Sequence, residues 1–285
     1  MLSQIIFNGI AVGSIYILAG LSFGIIFTTA RVFHFAHVAV YTLGGFFFFQ
    51  MIVLWQQPFI ISFLGGILLS CIVGLGIELV CYQPLRRLQA TPLQLLITAI
   101  GVTTVLQNIT LLIWKTEPQV VPISIELLKG HQVGGVWISY FQVFTLLAVA
   151  CIWAALHLFI MKSKMGKAIR AFSADPKTLE LMGINPRGIR VIVYAIGSSM
   201  ICIAAYLQIM EFGMDVTTGL GVVLIGIIAT LTGAAWGLTG IAVSSLCLGI
   251  IENLGTAILS SQWKYCIIFG AITILLVIRP KFMFR

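Results

Sequence analysis

Nine mostly apolar stretches follow one another along the chain, at roughly 4–28, 35–54, 59–81, 93–114, 141–161, 189–212, 219–233, 237–259 and 265–278, each set off by proline, charge or turn residues. Most are about 20 residues long, the length an α-helix needs to cross the hydrocarbon core of a bilayer. Transmembrane strands would alternate polar and apolar residues, and segments such as "IIFNGIAVGSIYILAGLSFGIIF" do not. Soluble domains are about 25% charged; this chain is 8% charged and 60% apolar, too little polar surface to face water on all sides. The pattern predicts an all-α polytopic membrane protein of about 8–9 transmembrane or re-entrant helices, one transmembrane domain over residues 1–285. The stretch 219–233 is short and bounded by glycine, which fits a broken or re-entrant helix buried in protein. The opening "MLSQIIFNGIAVG" has neither a basic region ahead of its apolar run nor a small-residue cleavage site, so it reads as a retained first span.

The charges are placed as unevenly as the apolar residues. Nine of the 24 charged residues fall between Lys162 and Arg190. Lys and Arg accumulate in cytoplasmic loops. Setting this island in the cytoplasm and alternating outward puts 13 basic residues inside, with only Lys115, Lys129 and Lys264 outside. The N-terminus is then expected outside and the C-terminus in the cytoplasm, with 115–140 as the main external loop. The same bias explains the net charge of +8 without nucleic acid as a partner. The six cysteines lie within or at the ends of apolar runs and form no C-x-x-C pair. They read as small hydrophobes between helices, not as disulfides or metal ligands.

Within the island, Met165, Ala168, Ile169 and Phe172 fall at i, i+3, i+4 and i+7, one stripe of a helix, while Lys164, Lys167 and Arg170 point elsewhere. That is an amphipathic helix for a membrane interface, its cations toward lipid phosphate or water. In "SADPKTLELMGI", Asp175 suits an N-cap, Pro176 a first helical position and Gly183 a C-terminal stop. Between them Leu179 and Met182 form an apolar edge on a second helix of about 10 Å. Asn185 and Pro186 turn the chain back toward the next span. Such a knob is either a plug for a partner's groove or an ordinary cytoplasmic loop that is helical.

Four blocks, in order, resemble the membrane-spanning permease subunits of bacterial ABC importers for branched-chain amino acids, a family that includes urea permeases. They are "NGIAVGSIYILAGLSFGIIFTTARVFHFAH" (8–37), "IELVCYQPLRRLQATPLQLLITAIGVTTVLQN" (77–108), "SKMGKAIRAFSADPKTLELMGIN" (163–185) and "LGIIENL" (248–254). The resemblance implies the permease fold of that family, with a cytoplasmic coupling loop at 162–188. It implies docking of this loop into a cleft on an ATP-hydrolysing subunit through Ala174, Asp175, Pro176, Leu179, Leu181, Met182 and Gly183, flanked by Lys167, Arg170 and Arg187. It further implies two ATPase subunits carrying ATP-Mg, a second related permease or a second copy of this chain, and an extracytoplasmic solute-binding protein. The solute expected is a branched-chain or other hydrophobic amino acid, or alternatively urea or another small polar molecule. The family's Asn before Phe-Ala-His is His34 here, the Gly-Glu after it is Val38-Ala39, and its glycine-rich pattern after 219 is eroded to "ATLTGAAWGLTG".

Polar groups at membrane depth usually face a bundle interior or water. On that ground His37, Tyr41, Gln107, Asn108, Glu252 and Asn253 are candidates for a translocation path. Glu252 and Asn253 serve equally well as a pin between helices, and Gln107 and Asn108 as interhelical hydrogen-bonding groups. His34 and His37 share a face, with no third metal ligand obvious beside them. Glu78, close to Arg86 and Arg87, reads as an ion pair, and Asp215 as an exposed residue beyond a span. There is no G-x-x-x-x-G-K-[ST], so the chain cannot bind ATP in the P-loop manner. An intramembrane enzyme would need a convergent acid–base or nucleophile set that the scattered acidic residues do not supply. A secondary transporter driven by an ion gradient remains the other alternative.

Overall fold

The computed structural model describes residues 1–123, 129–175 and 183–259, together with Trp263, Cys266, Gly270 and Thr273. In chain order the elements are α1 (Leu2–Ala30), α2 (His37–Phe49), α3 (Phe59–Gly76), α4 (Gln83–Arg87), α5 (Pro92–Trp114), a hairpin of β1 (Gly130–Val133) and β2 (Val136–Ser139), α6 (Tyr140–Lys162), α7 (Lys164–Ala174), α8 (Pro186–Glu211), α9 (Thr218–Gly233) and α10 (Gly237–Ile258). Among the described residues, seven helical segments are long and apolar enough to cross a membrane. The predicted segments 219–233 and 237–259 fall within one of these, Thr218–Ile258, and 265–278 lies outside the described residues save for four isolated positions.

The chain divides into two compact units. One comprises Met1–Gly24, Pro122–Trp153 and Gly221–Arg285, the other Ile25–Val121 and Ala154–Leu220. In the first unit, α1 packs against both α9 and α10. Along α10, Ile241 lies nearest Gly24, Ser245 nearest Gly20 and Leu246 nearest Gly13, so the two helices are antiparallel. Along α9, Gly226 meets Ala19 and Thr230 meets Gly24, so that helix runs parallel to α1. The segment 218–258 is therefore a hairpin of two helices, turned through a short 3-10 helix at Ala234–Trp236. The 16 residues of α9 reach about 24 Å, short of a full hydrocarbon thickness. Backbone contact is close where glycine allows it: a Cβ at Gly249 would fall 2.5 Å from Gly13 Cα. Gln4 holds the β-hairpin to α1 through both sides of one residue, donating to Trp137 O at 3.0 Å and accepting from Trp137 N at 2.7 Å.

In the second unit α2 packs against α3, α5 and α8, and α8 packs against α3 and α7. Along α3 and its continuation, Ser62, Gly66, Ser70, Gly74, Glu78 and Tyr82 are all buried, each four residues from the last. A four-residue step drifts about 40° around an α-helix, so such a row would wind off the contact face. A π-helical turn at Ile77–Tyr82 has more residues per turn and brings Glu78 and Tyr82 back into the protein. Ile60, Leu64, Leu68 and Ile72 occupy the opposite face and are exposed, as a lipid-facing surface requires. Helix α5 opens on a capping box, with the Thr91 hydroxyl bonded by Gln94 N and the Gln94 side chain by Thr91 N, and Pro92 in the first turn. Asn185 caps α8, its side chain accepting from Arg187 N.

Candidate functional site

The charged island begins as expected and then differs in its orientation. Ser163 caps α7, its hydroxyl accepting from Gly166 N at 2.8 Å. The buried face of α7 is Gly166, Ile169 and Phe172, whereas Met165 is exposed. The stripe anticipated for a lipid interface is thus turned against protein, and it is shifted by one residue at its start. Gly166 is required there, because a Cβ would strike the carbonyl oxygens of Phe159 and Ile160 at the end of α6. Lys164, Lys167 and Arg170 are exposed, and Arg170 Nη1 also lies 2.9 Å from Met161 Sδ. Ala174 and Asp175 end the helix, with Asp175 N donating to Ala171 O. Pro176, Leu179, Leu181 and Met182 lie outside the described residues. Gly183 follows with φ +78°, in the left-handed region that glycine favours.

Beneath α7 is a buried charged cluster. Glu78, 1% exposed, accepts from both arms of Arg86, Nη1 at 2.5 Å and Nη2 at 2.9 Å. Arg190 Nε stands 3.3 Å from the same carboxylate, an ionic contact without hydrogen-bond alignment. The guanidinium of Arg190 lies over the ring of Phe172 on α7, 5.9 Å from its centroid. Glu78 is thus an ion pair with Arg86, as anticipated, with Arg190 as an unforeseen third member and Arg87 exposed. The Arg86 guanidinium also faces the Tyr82 ring.

Next to these charges is a knot of aromatic and imidazole rings. His34 lies in the turn before α2 and not on a helix face with His37, but the two rings meet with centroids 5.2 Å apart, and Tyr82 and Tyr194 enclose His34 edge-on. His34 Nδ1 is 2.9 Å from the Tyr82 hydroxyl. Burial first, then His37 and Arg86, holds the His34 imidazole well below its ordinary value of 6.5, so it is neutral. Protonation then favours the unfolded chain: the stability His34 contributes is complete above about pH 6.5 and is lost as the pH falls below it. The detergent-solubilised protein should lose up to about 1.4 kcal/mol per pH unit below 6.5 from this group. Thermal unfolding between pH 7 and 5 should show that loss, with a shallower slope in His34→Gln.

The other candidates separate into the two units. Glu252, 5% exposed on α10, accepts from the Tyr16 hydroxyl of α1 at 2.6 Å, a helix-to-helix pin. Asn253 donates to Gly249 O within its own helix. Tyr16→Phe should destabilise by about 1–3 kcal/mol by removing that donor. Glu252→Gln keeps an acceptor for Tyr16 and should cost less, which a comparison of the two melting temperatures would read. In the second unit His37 and Tyr41 are fully buried on α2. Gln107 reaches Val216 O at 3.4 Å, and Asn108 is exposed, donating to Thr104 O of its own helix. Asp215 is half-buried rather than exposed, and it caps α9 through bonds from the backbone and hydroxyls of Thr217 and Thr218. Burial raises its carboxyl, but the Thr217 and Thr218 donors outweigh that and hold it below the usual carboxylate range. Among the described residues no group of three His, Cys, Asp or Glu is placed to hold a metal ion.

Sequence reasoning did not single out Tyr16, Arg31, Tyr82, Phe172, Arg190 or Tyr194 as site residues. Only the eight-residue spacing of Glu78 and Arg86, two helical turns, was visible beforehand.

Helices of this length and apolarity, with polar groups paired in their interior, define a polytopic membrane protein, and the comparisons give it a family. Residues 5–277 match the family described as "Branched-chain amino acid transport system / permease component", so the chain belongs to that family of transport permeases. It is 31% identical to the high-affinity branched-chain amino acid transport system permease protein BraD of Pseudomonas aeruginosa, over 97% of this chain and 94% of that protein. It is 29% identical to the corresponding protein LivH of Escherichia coli K12, over 97% of this chain and 93% of that one. No solved structure is significantly similar to it.

Proposed function

We propose that the chain lines the solute path of an ATP-driven importer for branched-chain or other hydrophobic amino acids in a bacterial cytoplasmic membrane. The observation that carries this reading is the family match along residues 5–277, on a bundle with no P-loop of its own. Two ATPase subunits bind and hydrolyse ATP-Mg and dock on the loop 162–188. A second permease, related or identical, completes the path, and an extracytoplasmic binding protein delivers the solute. The N-terminus is outside and the C-terminus in the cytoplasm, an arrangement supported by the 13-to-three distribution of basic residues.

Coupling runs through Ala174 to Gly183, with Lys167 and Arg170 as exposed flanking cations. His37, Tyr41, Gln107, Asn108, Glu252 and Asn253 contribute to the path, His37, Tyr41 and Glu252 from buried positions that move into it when the bundle opens. The altered residues at 34–39 and 226–240 make the solute the point to test first. Cells expressing the chain with its neighbouring genes should take up labelled leucine, in competition with valine and isoleucine but not with urea. Uptake should stop on ATP depletion and survive an uncoupler. Competition by urea alone would move the chain to the urea branch of the resemblance. Collapse with the uncoupler while ATP is maintained would make it a secondary transporter.

A further inference from the structure

The C-terminal end of α7 is gripped by two arginines. Arg31 follows α1 in a left-handed backbone, φ +51°, which residues other than glycine seldom adopt. Its guanidinium donates to Ser173 O at 3.1 Å and to Ala174 O at 3.4 Å. Those are carbonyls that a helix end leaves unpaired, at the negative pole of its dipole. The Ser173 hydroxyl is also 3.4 Å from Thr29 Oγ1 on α1. One residue earlier, Phe172 lies under Arg190, the fifth residue of α8, which contacts Glu78, which in turn takes both arms of Arg86.

The last turn of α7 is thus tied to the end of α1 on one side and, through α8, to the π-helical turn after α3 on the other. Arg31 is exposed, where hydrogen bonds contribute little net stability. The left-handed backbone at Arg31 ends α1 in the usual way, its N–H bonded to Phe27 O, and it leaves the side chain beside the end of α7. The grip also sits immediately before residues 176–182, the segment assigned above to docking.

We propose that Arg31 and Arg190 are positioning residues that carry displacement of the loop 162–188 into the spans. Arg31 transmits it to the joint between α1 and α2, and Arg190 transmits it through Glu78 to α3 and α4. This rests on the docking reading of the proposed function. Packed and hydrogen-bonded groups transmit motion because they resist deformation at the contact, whereas a solvated loop would absorb it.

The test uses the complete complex in proteoliposomes, with labelled leucine inside-directed uptake and ATP hydrolysis measured in the same vesicles. The variants are Arg31→Ala, which removes an exposed side chain, and Phe172→Leu, which keeps an apolar group in the core but removes the ring beneath Arg190. Both should retain their ATPase subunits and most of their hydrolysis, while ATP consumed per leucine rises about tenfold. Arg31→Lys, which keeps the cation at the helix end, should recover much of the native ratio. An unchanged ratio in both variants, or uptake and hydrolysis falling in proportion with the complex intact, overturns the relay alone. A native chain that carries no ATPase overturns the docking reading, and the relay with it.

Discussion

Leu179→Asp or Met182→Asp should release the ATPase subunits from membranes while leaving this chain inserted. Between Asp175 and Gly183 these are apolar residues on one edge of a predicted seven-residue helix, flanked by charge. In a partner's groove such an edge is desolvated, and a carboxylate introduced there loses its water without gaining a cation placed for it. A loss of about 3 kcal/mol, ordinary for a well-buried anchor, weakens docking roughly 100-fold. Co-purification should fall accordingly, and leucine uptake with it, at unchanged membrane content of the permease. Full co-purification and uptake in both variants would exclude this helix as the contact.

Glu78→Ala should be the most destabilising single change in the described cluster. It removes the one carboxylate between Arg86 and Arg190 and leaves two cations facing each other below α7. Breaking a buried ion pair from one side costs about 3–5 kcal/mol, of the order of 10 °C in melting temperature for a chain of this size. Glu78→Gln, which retains an acceptor for one arm of Arg86, should cost less. Removing Arg86 as well should cost less than the sum of the two single changes, because the second substitution takes away a charge that the first left unpaired. Additive losses would mean that the pair contributes no coupling.

Apolar spans and contacts between distant helices differ in how far a sequence reveals them. The spans were legible because lipid demands unbroken apolar helices, which leave runs of about 20 residues in plain view. The helix within the charged island was legible on similar grounds, because its periodicity is local. The facing direction of α7 was not legible. Its stripe of Ile169 and Phe172 fits a lipid surface or a protein surface equally well, and only the position of Arg190 and the end of α6 settles which. Asp215 was missed for a different reason: its capping bonds come from Thr217 and Thr218, two and three residues on, a local pattern that its place beyond a span obscured.

By itself, the amino-acid sequence determined the class of protein, its division into apolar segments, the place of the charged loop and the Glu78–Arg86 spacing. All of these follow from one-dimensional periodicity or from the cost of polar groups in hydrocarbon. Only the tertiary structure decided that Arg190, 112 positions beyond Glu78, joins that pair, that Arg31 closes the end of α7, and that Tyr16 reaches Glu252. Contacts between distant segments depend on how helices pack, and packing is set by shape and volume along whole faces. No short stretch of residues carries that information.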